Sequence, residues 1–285
     1  MKILVTGASG FLGRRAARYF ETLGWCVLAP AHSELDITDG EAVLSWMRQH
    51  RPDCVLHTAA VSDTGVCQRE PERSERINVD GSVHLAAACK ETGAKFIFCS
   101  SDQVYSGSAF SGPHREDEPL TPNNVYAMQK LSTERLCAEI CPDTVSLRLS
   151  WMYSTEQFEN EHGHFLTALK TAASDTEKTI SWPCYDKRGI TDTDEVVKNL
   201  PAALRLPAGV YNFGAENAYD THTTLQNVFS CMQRDDLLSR LSPNTEAFSA
   251  SPRDIRMNTD RAAAFGIRFK TTADGLRAAL RKVGF

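Results

Sequence analysis

The sequence begins with a short apolar stretch that runs directly into a glycine-rich turn. Residues 1–6 (MKILVT) fit a buried β-strand, glycines follow at positions 7, 10 and 13, and helical spacing begins at residue 14. Gly7 allows a sharp turn, Gly10 lets backbone N–H groups approach a phosphate, and Gly13 lets the helix pack closely on the strand. A strand, this glycine spacing and a helix, in that order, predict a turn that binds the pyrophosphate of a dinucleotide.

Strand and helix patterns then alternate along the first half of the chain. Strands are predicted at 25–29, 54–58, 95–99 and 144–149, and helices at 39–50, 75–92 and 126–139. Strands separated by helices of this length are typical of right-handed βαβ units. The sequence therefore predicts an α/β fold with a doubly wound parallel sheet (Rossmann), with its ligand site at the carboxyl ends of the strands.

The pattern changes after Trp151, where the chain becomes polar and acidic before further helical spacing. Residues 209–214 (GVYNFG) look like the last strand of the sheet, so the chain returns to the first domain before it ends. We therefore expect a dinucleotide-binding domain of residues 1–152 and 183–214. A smaller, discontinuous substrate lobe with the C-terminal segment takes residues 153–182 and 215–285.

Composition excludes several classes of function. The chain has 285 residues and a net charge of −5 with no block of Lys or Arg, which argues against a nucleic-acid partner. No run approaches the roughly 18 apolar residues of a membrane span. Nine cysteines stand singly without a C-x-x-C pair, which predicts buried reduced thiols in a cytoplasmic protein. His162 and His164 have no third ligand in view, so no metal site is expected.

The end of the second predicted strand bears on the choice of cofactor. Residues 30–33 (PAHS) lack the carboxylate with which an NAD-binding fold usually holds the adenosine ribose. Arg14 and His32 could instead contact a 2′-phosphate, which favours NADP(H) and leaves NAD(H) possible. Asp36 could accept a hydrogen bond from the adenine amino group. Alternatively, Arg14 belongs to a solvated helix face.

Groups able to transfer a proton follow in the second half of the predicted sheet. Ser101 ends a strand, and Tyr126 and Lys130 share one face of a helix because they are four residues apart. A tyrosine pKa is ordinarily near ~10, and a nearby ammonium together with an oxidised nicotinamide favours the phenolate. The pair can therefore exchange a proton with a carbonyl or an alcohol. Ser101 would hydrogen-bond the same substrate oxygen, and Lys130 can also hold the nicotinamide ribose.

Several motifs at these intervals resemble the extended short-chain dehydrogenase/reductase superfamily: TGASGFLG, HTAA, INVDG, SSDQVY, YAMQK and SLRLSWMY. Within it, LDITD, RPDCVLHTAA and SPRDIRMNT resemble the dTDP-4-dehydrorhamnose reductase (RmlD-like) family of sugar-nucleotide reductases. The resemblance covers most of the chain and is weakest at 155–182 and 218–250. The Y-x-x-x-K motif alone is common by chance. Its combination with the glycine turn and a strand-end serine is highly specific.

The resemblance implies a reaction and a set of residues. The family's catalytic serine, tyrosine and lysine fall on Ser101, Tyr126 and Lys130. They imply hydride transfer from the nicotinamide to the C4 keto group of a 6-deoxysugar nucleotide, with Tyr126 donating the proton. We expect NADP(H) to be preferred, the substrate to be a nucleotide sugar, and the protein to be a monomer or homodimer.

Residues expected to bind the cofactor lie in the glycine turn, at the strand ends and on the tyrosine helix: Gly7, Ser9, Gly10, Phe11, Leu12, Gly13, Arg14, His32, Asp36, Ile37, Thr58, Ala59, Ala60, Asn78 and Lys130. Residues expected to bind the substrate lie beyond the nicotinamide and in the closing motif: Ser62, Asp102, Gln103, Trp151, Arg253 and Arg256. For the two arginines a diphosphate contact and a solvated run are equally open.

Three neighbouring functions are considered beside the reductase. Sugar-nucleotide 4,6-dehydratases carry Asp-Glu where this chain has Asp102 and Gln103, and an amide cannot take the proton, so dehydration is disfavoured. A sugar-nucleotide epimerase stays open. So does a non-catalytic, nucleotide-bound subunit that resembles the regulatory subunit of methionine adenosyltransferase. Residues 188–191 (RGIT) depart from the family's usual G-S-P-T, which leaves the sugar open.

Overall fold

The computed structural model of the chain describes residues 1–159, 161 and 163–285. The strands found there are β1 (Lys2–Thr6), β2 (Cys26–Leu28), β3 (Cys54–His57), β4 (Lys95–Ser101), β5 (Val145–Leu149), β6 (Trp151–Tyr153), β7 (Ile180–Pro183), β8 (Asp186–Lys187), β9 (Ile190–Asp192), β10 (Gly209–Phe213), β11 (Leu241–Asn244) and β12 (Arg253–Asp254).

The α-helices of the same residues are α1 (Phe11–Thr22), α2 (Gly40–His50), α3 (Thr64–Arg69), α4 (Pro71–Glu75), α5 (Gly81–Thr92), α6 (Val125–Ile140), α7 (Phe165–Ser174), α8 (Thr193–Ala203), α9 (Thr221–Cys231), α10 (Asp235–Leu238), α11 (Asp260–Ala263) and α12 (Thr272–Lys282). A π-helical turn covers Arg76–Asp80 and a 3₁₀ helix covers Asp102–Tyr105.

The largest sheet contains six strands in the order β2-β1-β3-β4-β5-β10, and every neighbouring pair is parallel. Chain order reverses between β1 and β3, so the crossovers leave a crevice at the carboxyl ends of these strands. The predicted α/β fold with a doubly wound parallel sheet is confirmed. The predicted last strand, β10, lies at one edge of the sheet.

Alternate side chains of β1 enter the two hydrophobic cores that flank this sheet. Ile3 and Val5 belong to the core covered by α1 and α8, whereas Leu4 belongs to the core covered by α2 and α5. All three are fully buried. Because neighbouring residues of a strand point to opposite faces, a strand buried on both sides reads as a continuous apolar run.

A third core joins α7, α9 and α12 to the short strands β6, β7 and β9. Tyr153 and Phe165 in this core come from the predicted substrate lobe, but Ile190 comes from a segment assigned to the first domain. Ala262 and Ile267, assigned to the lobe, pack instead in the core under the six-stranded sheet. The division into two domains stays a prediction, and its C-terminal segment is shared between cores.

The single helix predicted at 75–92 is wrong. The structure has α4, then the π-helical turn Arg76–Asp80, then α5. The turn carries Asn78, whose side-chain amide bonds the backbone of Val61 and the amide oxygen of Gln129. These bonds hold Asn78 in a position that a regular helix would shift, and π-turns are frequent at functional sites.

Two expectations from composition can be compared with the structure. Six of the nine thiols are buried as predicted, whereas Cys26 and Cys231 are exposed. Of the helices in the described residues, none combines the length and the apolar character that a bilayer crossing needs.

Candidate active site

The glycine turn closes one end of the crevice. Gly7 has a φ of +68°, and a Cβ placed there would lie 2.7 Å from the backbone nitrogen of Ala59. At Gly13, a Cβ would lie 2.2 Å from the carbonyl oxygen of Gly7. Thr58 Oγ1 donates to the carbonyl oxygen of Thr6 at 2.7 Å and ties the ends of β1 and β3 together. The predicted tasks of Gly7 and Gly13 are therefore confirmed.

The N-terminus of α1 opens into this crevice. Its N-cap is Gly10, which supplies no side-chain acceptor, so within the described part of the chain no N-cap side chain uses the backbone N–H donors of the first turn, which begins with Phe11 and Leu12. Such a terminus attracts phosphate through its N–H groups and the helix dipole. The Arg14 guanidinium lies here as well and donates to the carbonyl oxygen of Ser9 at 3.3 Å. The turn has the shape and the donors that a dinucleotide pyrophosphate requires.

His57, at the end of β3, is a structural residue. It is 1 % exposed, with Nδ1 2.6 Å from Thr6 Oγ1 and Nε2 2.9 Å from Ser82 Oγ. Burial, with a smaller contribution from the Lys130 charge, lowers the pKa of His57 to about 3. The ring is neutral at physiological pH and ties β3 to α5 beneath the crevice.

The residues predicted to bind the adenosine part of the cofactor follow β2. Asp36 Oδ1 accepts from the backbone nitrogen of Thr38 at 2.9 Å and from its hydroxyl at 2.8 Å, and these bonds lower the pKa of Asp36. The lowered pKa favours the ionised carboxylate, whose oxygens only accept hydrogen bonds and so suit an amino group. His32 is exposed, with Nδ1 4.0 Å from Asp36. Ile37 is buried against Gly81.

Asn78 was predicted to contact the cofactor, and the structure gives its side chain another task. Its Oδ1 accepts from the backbone nitrogen of Val61 at 2.8 Å. Its Nδ2 donates to the carbonyl oxygen of Val61 at 3.1 Å and to Gln129 Oε1 at 2.9 Å. Both amide protons are used, so the side chain has no donor left for a ligand. Asn78 thus holds the backbone of Val61, which follows Ala59 and Ala60, and its predicted contact with the cofactor stays a prediction.

The three predicted catalytic residues meet at the end of β4. Ser101 Oγ caps the 3₁₀ helix by accepting from the backbone nitrogen of Gln103 at 3.2 Å, and it lies 3.3 Å from Asp102 Oδ1. The Tyr126 side chain lies close enough to Ser101 for that residue to influence the pKa of its hydroxyl. Lys130 Nζ donates to the carbonyl oxygen of Cys99 at 2.8 Å and lies 5.7 Å from the centre of the Tyr126 ring. The strand end and one face of α6 thus bring the three side chains together.

The pKa of Tyr126 depends on its burial as well as on its charged neighbours. The sequence predicts that Lys130 together with an oxidised nicotinamide favours the phenolate. In the chain itself, burial raises the pKa of Tyr126 above its ordinary value, and Ser101 opposes this only in part. Burial also lowers the pKa of Lys130 to about 8. The expectation includes the charge of the nicotinamide and stays a prediction. In the chain alone, burial outweighs the neighbouring groups because it takes the phenolate out of water. A protonated Tyr126 at neutral pH suits a proton donor.

The residues predicted for the substrate lie around this centre at different depths. Trp151 is half-buried and packs edge-on against Phe165, with ring centres 5.3 Å apart. Gln103 is 7 % exposed beside Ser101. Ser62 is exposed in the loop between β3 and α3.

Arg253 and Arg256 were predicted to contact a diphosphate, but both have partners within the chain. Arg253 pairs with Asp186 through contacts of 2.6 and 3.1 Å. Arg256 pairs with Asp254 at 2.8 and 2.7 Å and also donates to two backbone carbonyls. Each charge is paired with a carboxylate and neither side chain is freely solvated, so the structure does not favour a solvated run, and the diphosphate contact stays a prediction. The geometry favours a structural role that joins the closing motif to the rest of the chain.

The prediction of the site missed Arg188, between β8 and β9. Its Nη2 donates to Asp102 Oδ2 at 2.8 Å, and both side chains are buried. Burial raises the pKa of Asp102, and the Arg188 charge opposes the shift. The two residues are 86 positions apart in the chain, so the only sequence signal was a lone arginine before a glycine.

Metal ligation was not expected, and His162 of the histidine pair lies outside the described residues. His164 is buried directly before α7. Across residues 1–159, 161 and 163–285, no group of three His, Cys, Asp or Glu side chains is arranged to hold a metal ion.

Comparison with known proteins places this geometry in a family. A family model described as the RmlD substrate binding domain matches residues 1–284. The dTDP-4-dehydrorhamnose reductase of Streptomyces griseus is 41% identical over 151 residues, which are 53% of this chain and 49% of that protein. Methionine adenosyltransferase 2 subunit beta of Xenopus laevis is 33% identical over 159 residues, 53% of this chain and 47% of that one. The matched region thus spans about half the length of each relative.

A solved structure agrees over the full length. The dTDP-4-dehydrorhamnose reductase of Bacillus anthracis, crystallised in complex with NADP, superposes with a TM-score of 0.82 at 21% identity and covers 99% of both chains. At that identity the likeness shows the fold alone. Because the family model takes in almost every residue, from the glycine turn to the last helix, the chain belongs to the RmlD family of extended short-chain dehydrogenases/reductases.

Proposed function

We propose that this chain is an NADP(H)-preferring reductase of a 4-keto-6-deoxysugar nucleotide. The observation that carries the proposal is the buried cluster of Ser101, Tyr126 and Lys130 on the crevice whose other end is the glycine turn. The relative named dTDP-4-dehydrorhamnose reductase aligns with about half of this chain. Its name supports the proposed class of substrate.

Each of the three residues in the crevice can carry out one part of the reduction. A bound nicotinamide cofactor supplies the hydride for the C4 carbonyl carbon. Tyr126 holds the proton and gives it to the carbonyl oxygen, and its raised pKa keeps that proton in place at neutral pH. Ser101 donates a hydrogen bond to the same oxygen as negative charge develops on it. Lys130, held by the Cys99 carbonyl, places a positive charge beside the tyrosine and a donor toward the ribose.

The test of the proposal is turnover of the purified chain with NADPH and a dTDP-4-keto-6-deoxyhexose. We expect substrate-dependent oxidation of NADPH and a product reduced at C4, with a lower kcat/KM when NADH replaces NADPH. Product analysis by mass spectrometry separates reduction from epimerisation, because only reduction adds two mass units. NADPH binding without any turnover would contradict the reductase.

The preference for NADP(H) follows from Arg14 and from the missing carboxylate at residues 30–33. The Bacillus anthracis neighbour, crystallised with NADP, supports the same cofactor. We expect Arg14→Ala to weaken NADPH binding by about tenfold and NADH binding by less than twofold, since only NADPH carries the 2′-phosphate. Fluorescence titration of both cofactors measures this. Arg18→Ala, an exposed arginine on the same helix that pairs with Glu156, is the control, and equal weakening of both cofactors by Arg14→Ala would contradict the contact.

A second candidate is a non-catalytic regulatory subunit, favoured by the similarity to methionine adenosyltransferase 2 subunit beta. A regulatory subunit does not need Ser101, Tyr126 and Lys130 to lie together. In this chain the three residues do lie together, which favours the reductase. Cofactor binding with no turnover, together with a stable complex with a methionine adenosyltransferase catalytic subunit, would favour it over the reductase.

We propose a cytoplasmic location and a monomer or homodimer as the working state. Nine cysteines without a disulfide among the described residues are typical of a reducing compartment.

A further inference from the structure

Gln129 lies on α6 directly before Lys130, and both ends of its side-chain amide are hydrogen-bonded. Its Nε2 donates to the carbonyl oxygen of Pro71 at 3.2 Å and to Ser74 Oγ at 2.8 Å. Its Oε1 accepts from Asn78 Nδ2 at 2.9 Å. The residue is 7 % exposed, so these bonds are made away from water. Both N–H groups and the oxygen of the amide have partners, which holds the side chain in one orientation.

Two backbone groups fix the direction of this series of hydrogen bonds. The Pro71 carbonyl can only accept, so the nitrogen of the Gln129 amide must face it and the oxygen must face Asn78. The Val61 N–H can only donate, so Asn78 Oδ1 must face it and Asn78 Nδ2 must face Gln129. Each amide thus has one assignment that satisfies its partners. The series joins α4, α6, the π-helical turn and the segment that follows β3.

The series ends close to the glycine turn. Val61 stands two residues after Ala59, and a Cβ at Gly7 would lie 2.7 Å from the backbone nitrogen of Ala59. The segment after β3 therefore packs tightly against the turn that would bind the cofactor. At the other end of the series, Gln129 is three residues from Tyr126 on α6. The hydrogen bonds thus connect the element that would hold the cofactor with the helix that carries the proton donor.

We propose that Gln129 is a positioning residue that acts through Asn78 and keeps Tyr126 in place relative to a cofactor bound at the glycine turn. The inference rests on the proposed function, because the hydride and the proton must reach the two atoms of one carbonyl group. A displacement of about 1 Å between reacting groups can lower a rate by ~10²-fold, so a bond between the two elements matters to hydride transfer. Thr133 Oγ1 adds a second bond from α6, to the carbonyl oxygen of Asn78 at 3.0 Å.

The test is the primary isotope effect on kcat with a dTDP-4-keto-6-deoxyhexose and NADPH that carries deuterium at the transferred position. Gln129→Met keeps the length of the side chain but removes its donors and its acceptor. We expect kcat to fall about tenfold and the isotope effect to rise, because a misplaced nicotinamide makes hydride transfer the slow step. A smaller folded fraction would lower the rates with both isotopes equally and leave the isotope effect unchanged.

Ser74→Ala is the matched control. It removes a buried hydroxyl that accepts from Gln129 Nε2, while the Pro71 carbonyl still accepts from the same group and Asn78 keeps its partner. Its kcat should stay within about twofold of the unaltered chain, with the same isotope effect. In an Asn78→Ala chain, Gln129→Met should lower kcat by less than about twofold further, since the link to Val61 is already broken.

Thr133→Val covers the case in which Gln129→Met folds poorly. It removes the second bond to Asn78 with little change of shape, and it should lower kcat by about threefold and raise the isotope effect. Unchanged kinetics in Gln129→Met, or an equal loss in the Asn78→Ala chain, would overturn the role of Gln129 and leave the reductase intact. An unaltered chain that binds NADPH without turnover would overturn the proposed function, and this inference with it.

Discussion

Tyr126→Phe is expected to lower kcat of NADPH-dependent reduction by about 10²- to 10⁴-fold, the range over which a positioned proton donor accelerates a reaction. The substitution removes only the hydroxyl oxygen, so the ring keeps its place at 5.7 Å from Lys130 Nζ. Cofactor affinity should stay within about twofold, because the hydroxyl contacts Ser101 and not the glycine turn. Steady-state kinetics and a separate NADPH titration measure the two effects.

The matched control is Tyr219→Phe, which removes a hydroxyl from a tyrosine that is 49 % exposed. Its kinetics should equal those of the unaltered chain. Full activity in Tyr126→Phe would show that the proton comes from elsewhere, since a phenyl ring has none to give. A loss of NADPH binding as large as the loss of kcat would instead indicate a collapsed site.

Patterns that act over a few residues predicted most of the fold and the reacting centre. The alternation of β1 residues between two cores, and the spacing of Gly7 and Gly13, are local signals that no distant contact overrides. Tyr126 and Lys130 share a helix face by spacing alone. Ser101 joins them because parallel strands end at one edge, which follows from the topology.

Contacts between distant segments could not be predicted. The Arg188–Asp102 pair joins positions 86 apart, and the Arg253–Asp186 pair joins positions 67 apart. No local pattern distinguishes an arginine that will be paired inside the fold from one left free for a phosphate. The same limit explains Asn78, whose amide is used by residues that become neighbours only after folding.

Glu134→Gln is expected to lower the free energy of unfolding by about 3–5 kcal/mol, the cost of leaving one member of a buried ion pair without its partner. Glu134 on α6 and Arg148 on β5 are each 3 % exposed and form contacts of 2.7 and 3.0 Å. The Ser100 hydroxyl also donates to Glu134, and Arg148 donates to Tyr105 at 2.8 Å. Glutamine has nearly the same volume as glutamate but no charge. The decrease in the free energy of unfolding therefore measures the electrostatic contribution of Glu134 to these contacts.

Urea unfolding at pH 7 compares Glu134→Gln with Glu139→Gln, an exposed glutamate on the same helix whose change should stay within about 0.5 kcal/mol. Glu134 is also one helical turn from Lys130, and its charge opposes the lowering of the Lys130 pKa. Removing it should therefore shift the pKa of Lys130 further down, so that activity declines at a lower pH than in the unaltered chain. A loss of stability below about 1 kcal/mol would mean that the buried pair contributes little more than a surface pair.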